Sequence, residues 1–243
     1  MTAVSCPGSS TAVCLITMDL EITALKAQKK NPNRISVFLD GEFVFGLARI
    51  VAAWLKIGQV LSEGDIDRLK QQDTMEVAYQ KGLNFLSYRP RSETEIQRKL
   101  SEQGFEPPVI EATIQRMKEN KFLSDDKFAR DWVENRTAFK PRGKRLLAME
   151  LRQKGVAEEA IQQALDETED EDSLAYQTAL KQAHRLAGTD WETFRKRLGA
   201  FLMRRGFSYG TIAPVLRQVW DETHTSAESD NLTHDEDEDV WYQ

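Results

Sequence analysis

Hydrophobic and polar positions divide the chain into a short alternating segment and a long helical one. Between residues 22 and 47, β-branched and aromatic residues alternate with polar ones, interrupted by "NPN" and by Asp40-Gly41. Asp-Gly between two such runs is a hairpin signal, because both turn residues need positive φ. The pattern predicts a three-stranded antiparallel unit. Two short helices, "ARIVAAWLKI" closed by Gly58 and "SEGDIDRLKQQ", are predicted to follow it.

From Thr74 onward the chain repeats one helical pattern at a spacing of 51 residues. The repeated pairs are Leu100 with Gly104, Leu151 with Gly155, and Leu202 with Gly206. Further apolar residues stand four positions before each leucine and six and ten after each glycine. This is typical of a helix that buries an i, i+4 stripe, ends at a left-handed glycine and is followed by a second helix. A capping box, Ser92-x-x-Glu95, opens the first copy.

A third helix is assigned to the end of each repeat: "SDDKFARDWVENR" closes the first and "SLAYQTALKQAHRL" the second. The predicted fold is mainly α, with three tandem three-helix repeats in an elongated array after a small N-terminal antiparallel β unit with short helices. The expected boundaries are a disordered tail at 1–18, the β-hairpin and helix domain at 19–72, repeats at 73–139, 140–188 and 189–220, and an acidic disordered tail at 221–243. Met18 is an alternative start to Met1.

Charge is unevenly distributed along the chain. The net charge is −6, but nine acids and no Lys or Arg lie from Asp221 to the end, so the body without them carries +3. The segment "KPRGKR" contributes Lys140, Arg142, Lys144 and Arg145 ahead of a predicted helix N-terminus, where positive charge is unfavourable. That placement favours a binding role over a structural one.

The third repeat carries a second group of cations. Its first helix contains Arg195, Lys196 and Arg197 and ends with Arg204 and Arg205. For Arg204 and Arg205 a binding role and simple compensation of the helix dipole remain equally open. If the repeats stack in line, the two groups form a discontinuous basic stripe suited to a phosphate backbone or an acidic protein groove. The nearby aromatics are interpreted as core residues: Phe139, Phe194, Phe201 and Phe207.

Candidate enzymatic chemistry is sparse. The sequence has no P-loop, dinucleotide-binding, HExxH or GxSxG motif, and Cys6, Cys14 and three scattered histidines match no metal pattern. We therefore expect no catalytic residue, metal or cofactor. The acidic run "DETEDED" at 166–172 is interpreted as a solvated linker, with catalytic or cation-binding carboxylates as the alternative. No apolar run is long enough to span a bilayer and no basic leader is present, so a cytoplasmic location is expected.

One further pattern lies in the stretch "LNFLSYRPRSETEIQRKLSEQGF", where a leucine-rich helix leads into Arg89, Ser92, Glu95 and Ile96. These residues resemble the opening signature of the RecX family, which regulates the RecA recombinase. Later segments match in the family's order: "NKFLSDDKFARDWVENR" (Phe122, Asp125, Phe128, Ala129), "MELRQKGV" (Glu150, Leu151, Lys154, Gly155) and "FLMRRGFSYGTI". The resemblance covers about residues 75–220. It departs at Lys144, where the family often has proline, and at Asn120-Lys121, where it favours glycine.

The resemblance implies a non-enzymatic modulator of recombination and the SOS response. Such a protein binds along the groove of the RecA–single-stranded DNA filament and inhibits the ATPase, strand exchange and coprotease activity. We expect a monomer without membrane contact, with single- or double-stranded DNA as a further partner. The expected filament or phosphate contacts add Arg89 and Arg91 to the cations named above. The alternatives are a DNA-binding helical protein without a RecA partner, and a structural scaffold or an enzyme using Asp170 and Asp172.

Overall fold

The computed structural model describes residues 19–168 and 170–231, with side chains through Thr223. The predicted tail at 1–18 and residues 232–243 lie outside this range. The described chain forms two compact units. One contains the residues up to Gly82 together with Phe105–Thr113, and the other contains Leu83–Gly104 and the chain from Ile114 onward.

The first unit contains a four-stranded antiparallel sheet. Its strands are β1 (Leu20–Gln28), β2 (Asn31–Leu39), β3 (Glu42–Ala48) and β4 (Val60–Leu61), in the order β3-β2-β1-β4. Three of these strands were predicted. The Asp40-Gly41 turn is confirmed, with φ of 49° and 91°. Ile22, Val37 and Leu47 are fully buried and form the centre of the core under the sheet.

The helices next to the sheet differ from the prediction. Helix α1 (Arg49–Ala52) has only four residues, because the chain then returns to the sheet. The Gly58 N–H donates to the carbonyl of Ile22 over 2.8 Å, and β4 follows at once. Helix α2 (Glu63–Tyr88) is continuous, so the expected domain boundary between residues 72 and 73 falls inside a helix. No proline interrupts this stretch, and nothing else in it forces a break.

Within the described residues eight further α-helices follow: α3 (Glu93–Glu102), α4 (Pro107–Glu119), α5 (Asp125–Phe139), α6 (Lys144–Gln153), α7 (Glu158–Asp166), α8 (Glu171–Ala183), α9 (Trp191–Arg204) and α10 (Tyr209–Asn231). The repeat is confirmed, since α6 begins and ends 51 residues after α3. The glycines after α3, α6 and α9 have φ of 82°, 76° and 87°. The leucines four residues before them are completely buried.

The grouping of the helices requires a correction. Helices α5, α6 and α7 share one core, and α8, α9 and α10 share another. The helix that was expected to close a repeat therefore opens the next one. The reason is that the apolar face of α5, including Phe128 and Val133, packs with Leu147 and Leu151 of α6. Helix α10 also continues to Asn231, so residue 221, the expected start of the acidic tail, lies within a helix.

Candidate functional site

Consecutive repeats in the second unit are joined by the same kind of contact. In the first junction the N-terminus of α3 meets the C-terminal turn of α6, and the Ser92 hydroxyl donates to the carbonyl of Lys154 over 2.5 Å. In the second junction the N-terminus of α6 meets the C-terminal turn of α9, and the Gly143 N–H donates to the carbonyl of Arg205 over 2.9 Å. Gly143 and Arg205 each stand 51 residues after their counterparts, so the two junctions are structurally equivalent.

The repeated glycines make these junctions possible. A Cβ placed on Gly155 would lie 2.3 Å from the Thr94 hydroxyl oxygen, and one on Gly206 would lie 2.3 Å from the Cβ of Leu146. At Gly104 the space is open, with no atom within 4 Å. All three glycines adopt positive φ, which other residues rarely tolerate. Gly155 and Gly206 therefore have a second role, because they allow the neighbouring helix to approach closely.

The first junction contains its own neutralising carboxylate. Glu95, whose side chain is only 7% exposed, accepts from the Arg89 guanidinium at 2.9 and 3.1 Å and from Lys154 Nζ at 2.8 Å. Burial alone raises the pKa of Glu95, but the hydrogen bonds and charges of the two cations outweigh it and lower the pKa from 4.5 to about 2. The Ser92 half of the capping box is confirmed, since Ser92 Oγ accepts from the Glu95 N–H. The Glu95 carboxylate binds the two cations, and this pairing leaves the first junction with little capacity for an anion.

The second junction lacks this carboxylate. Leu146 stands 51 residues after Glu95, while Lys140 and Arg205 stand in the places of Arg89 and Lys154. The Arg205 side chain donates to the carbonyl of Pro141 over 3.1 Å. Its guanidinium also lies 4.8 Å from the ring centre of Phe201. Both contacts fix the guanidinium without cancelling its charge.

An open pocket of about 360 Å³ lies at the second junction, lined by Lys140, Arg142, Leu146, Phe201, Arg204 and Arg205. Four of these residues are cations and none is an acid. An adjoining pocket of about 590 Å³ shares Phe201 and Arg204 and adds Lys196 and Arg197. Such a concave surface of one charge sign concentrates anions such as phosphate.

Positive charge is in excess around this pocket. Arg142 forms an ion pair with Glu150, and Glu150 also accepts from Arg136 over 3.3 Å and from the Trp132 indole over 3.0 Å. Burial lowers the pKa of Arg142, and repulsion from Arg136 and Arg205 lowers it further. A bound anion would relieve this repulsion. We therefore define the six cations around the two pockets as the basic patch: Lys140, Arg142, Lys196, Arg197, Arg204 and Arg205.

The other predicted contact residues lie elsewhere. Arg89 is held by Glu95, and the Arg91 Nε–H donates to the carbonyl of Phe85 over 3.0 Å. Arg195 lines a different pocket beside Trp191 and Glu192. Lys144 and Arg145 line neither pocket of the basic patch, although the backbone N–H of Lys144 donates to Glu171. The structure therefore brings together six of the eleven predicted cations.

Two exposed aromatic residues accompany the junctions, one of them not singled out from the sequence and the other assigned to a core. Tyr88, at the end of α2, is 84% exposed, and Phe139, at the end of α5, is 78% exposed. The expectation that Phe139 lies in a core is therefore wrong. The signal was available as a second repeat motif, since "YRPR" at 88–91 and "FKPR" at 139–142 stand 51 residues apart. Each motif places an aromatic ring directly before the cations of a junction.

The acidic run at 166–172 has a structural role where it is described. The Asp170 carboxylate accepts from the Ser173 N–H over 3.3 Å and caps α8. Among the described residues, no group of three or more His, Cys, Asp and Glu is arranged to hold a metal ion. No helix within the described range is long and apolar enough to cross a membrane.

Comparison with known proteins supports the resemblance. The profile of the RecX N-terminal domain matches residues 20–62, and those of the first, second and third RecX three-helix domains match residues 78–117, 124–165 and 169–216. The chain is 31% identical over 217 residues to regulatory protein RecX of Bacillus subtilis, covering 87% of this chain and 81% of the relative. It is 29% identical to regulatory protein RecX of Listeria welshimeri, covering 88% and 81%.

Solved structures show the same fold. A crystal structure of regulatory protein RecX matches with a TM-score of 0.67 and 28% identity, over 83% of this chain and 99% of the other. The structure of RecX from Lactobacillus salivarius, 22% identical, matches 61% of this chain and 97% of its own with a TM-score of 0.57 and supports the fold alone. The grouping of α5–α7 and of α8–α10 in the two cores also coincides with the second and third matched three-helix domains. From its repeats, its junctions and these matches, we conclude that the chain belongs to the RecX family of regulatory proteins.

Proposed function

We propose that this protein regulates homologous recombination and the SOS response by binding in the groove of the RecA–single-stranded DNA filament. Bound there, it inhibits the RecA ATPase, strand exchange and coprotease activity, and it performs no catalysis of its own. Membership of a regulatory family supports the proposal, and the family resemblance supplies RecA as the partner. The basic patch is the proposed contact surface.

The observation that carries this assignment is the unbalanced charge of the second junction. A concave patch of six cations suits a phosphate backbone or an acidic protein groove, and a protein–DNA filament can offer both. Each contact is modest when taken singly. When one protein makes several linked contacts along a polymer, each contact raises the effective concentration for the next. A small patch can therefore contribute to strong binding.

A direct DNA-binding role without RecA is the second candidate, because the same patch suits a phosphate backbone. The filament-binding protein and the direct DNA-binding protein should differ in how their affinity for DNA depends on salt and on RecA. Direct binding to DNA should weaken steeply with salt and should be the same with and without RecA. A filament ligand should bind the RecA–DNA complex much more tightly than it binds DNA.

The proposal is tested by titrating the protein into a RecA–single-stranded DNA ATPase assay. We expect half-inhibition at a ratio well below one protein per RecA. A matched pair of charge reversals locates the contact: Lys140→Glu with Arg204→Glu changes the patch, and Arg145→Glu with Arg195→Glu changes equally charged residues outside it. The first pair should weaken inhibition about tenfold or more, and the second should weaken it by less than about threefold.

The ATPase titration and the two charge-reversal pairs separate three possibilities. Absence of inhibition by the unmodified protein contradicts the proposed function. Equal losses for the two pairs contradict the patch as its contact surface. Equal affinity for DNA with and without RecA favours the second candidate.

A further inference from the structure

We propose that the second junction binds single-stranded nucleic acid directly, with the backbone phosphate in the basic patch and an unpaired base stacked on Phe139. The inference rests on the proposed function in taking the same junction as the contact surface, and it adds the chemical class of the ligand and the residue that recognises the base. It also gives the two structurally equivalent junctions different roles.

Phe139 is exposed directly beside the cations of the second junction. Its ring is 78% exposed at the C-terminal end of α5, and the next residue, Lys140, lines the pocket of the second junction. Consecutive Cα atoms are about 3.8 Å apart, so the ring and the lysine side chain leave the backbone at neighbouring points beside the pocket. An aromatic face beside cations is the arrangement by which proteins hold unpaired bases without reading their sequence.

The pocket at the second junction has the chemistry to hold a phosphate. Four cations line it, Glu150 is the ion-pair partner of Arg142, and Phe201 forms an apolar wall that holds the guanidinium of Arg205. A phosphate is compact and strongly charged, so an open pocket of about 360 Å³ lined by four cations has room for one beside charged donors. A partner with apolar chemistry alone would leave these charges desolvated without compensation.

The first junction is the internal comparison. Tyr88 is the counterpart of Phe139 and is 84% exposed, but the cation beside it, Arg89, is bound to Glu95. The second junction repeats the geometry of the first, but Leu146 replaces the carboxylate that binds the cation beside the ring. Tyr88 should therefore contribute much less to nucleic-acid binding than Phe139, although it is at least as exposed.

The competing occupant of Phe139 is an apolar pocket on a partner protein, since exposed aromatic residues often anchor protein interfaces. The unneutralised charge next to the ring favours the nucleic acid. A protein pocket would need several acids at its rim to match the same surface.

The test measures binding of the full-length protein to fluorescein-labelled oligo(dT) by anisotropy, without RecA. A second probe has the same length and backbone but carries abasic residues in place of thymidine. We expect the unmodified protein to prefer oligo(dT). Phe139→Ala should weaken oligo(dT) binding about 5- to 100-fold, the range of one lost base stack, while binding to the abasic probe changes little. Phe139→Trp should retain the preference, and its added fluorescence should be quenched by oligo(dT).

Two controls make the result specific. Tyr88→Ala removes the equivalent ring, and Phe122→Ala removes another ring that is 57% exposed; each should change affinity by less than about twofold. Because Phe139 is exposed, Phe139→Ala should unfold at the same urea concentration as the unmodified protein, which excludes misfolding.

The inference is overturned if Phe139→Ala leaves oligo(dT) binding unchanged, if it weakens both probes equally, or if the unmodified protein binds neither. Loss of RecA inhibition by Phe139→Ala with intact oligonucleotide binding also overturns it, because the ring then contacts protein. The proposed function fails separately, through absence of RecA inhibition while oligo(dT) binding and its dependence on Phe139 persist.

Discussion

Replacing each repeated glycine by alanine separates the two roles that these residues have. All three positions have positive φ, so each substitution places a Cβ in a left-handed conformation. At Gly104 the new methyl group meets no atom within 4 Å, whereas at Gly206 it meets the Cβ of Leu146 at 2.3 Å. The change at Gly104 therefore introduces backbone strain only, and the change at Gly206 also forces apart the second junction.

The expected magnitudes differ accordingly. A left-handed alanine costs about 1–2 kcal/mol, which is the whole loss expected for Gly104→Ala. Carbon atoms pack at about 3.5–4.0 Å, so the contact at Gly206 must open by more than an ångström, and overpacking of this kind adds about 1–3 kcal/mol. Gly155→Ala meets the Thr94 hydroxyl oxygen at 2.3 Å and its Cβ at 2.5 Å, so rotation of the side chain cannot relieve the contact.

Urea denaturation followed by tryptophan fluorescence measures these losses. We expect the midpoint to fall least for Gly104→Ala and further for the other two variants. Leu146→Gly removes the atom that the new methyl meets, so a double-mutant cycle with Gly206→Ala should show favourable coupling of about 1 kcal/mol or more. Equal losses at all three glycines, or no coupling in the cycle, would refute the close approach as the reason for glycine.

Two further predictions concern charge. Glu95→Gln should lower the free energy of unfolding at neutral pH by about 2 kcal/mol, because Arg89 and Lys154 lose their carboxylate. Folding lowers the Glu95 pKa from 4.5 to about 2. The difference in unfolding free energy between the unmodified protein and Glu95→Gln should therefore be complete above pH 4.5 and disappear as the pH falls towards 2. If urea titrations show a difference that does not vary with pH, this prediction is wrong. Deleting residues 232–243, which include five consecutive acids from Asp235 to Asp239, should tighten oligonucleotide binding at low salt if these acids compete with phosphate for the basic patch. Unchanged anisotropy titrations would reject that competition. This deletion spares Glu222, which accepts a hydrogen bond from Tyr176 within the last repeat.

The sequence alone predicts the repeat well, because its determinants are local. Leucines at i, i+4 spacing and a glycine just after the last turn define each helix and its end, and the buried Leu100, Leu151 and Leu202 follow that pattern. The Asp40-Gly41 hairpin is predicted for the same reason. The pairing of α5 with the following helices was not predicted, because helix periodicity shows which face is buried and does not identify the partner.

The candidate site depends on contacts that are distant in sequence. Ser92 and Lys154 are 62 residues apart, and the docking of one repeat on the next decides which cations share a pocket. The capping box predicted that Glu95 would reach back to the helix start, but two cations compete for its carboxylate and bind it. Phe139 was assigned to a core because its spacing fits a helix face. Comparing "YRPR" with "FKPR" position by position would have marked it as part of the junction instead.

In the first junction the Glu95 carboxylate pairs with Arg89 and Lys154, and the second junction has Leu146 in its place. We propose that inhibition depends on the positive charge that this difference leaves at the second junction. Leu146→Glu tests it most directly, because it gives the second junction the carboxylate that Glu95 provides in the first. Leu146→Gln has nearly the same shape without the charge and is the control. In the RecA–single-stranded DNA ATPase assay we predict that Leu146→Gln inhibits nearly as well as the unmodified protein and that Leu146→Glu inhibits about tenfold less well, with a smaller dependence on salt. Equal inhibition by Leu146→Glu and Leu146→Gln would contradict a role for this positive charge in inhibition.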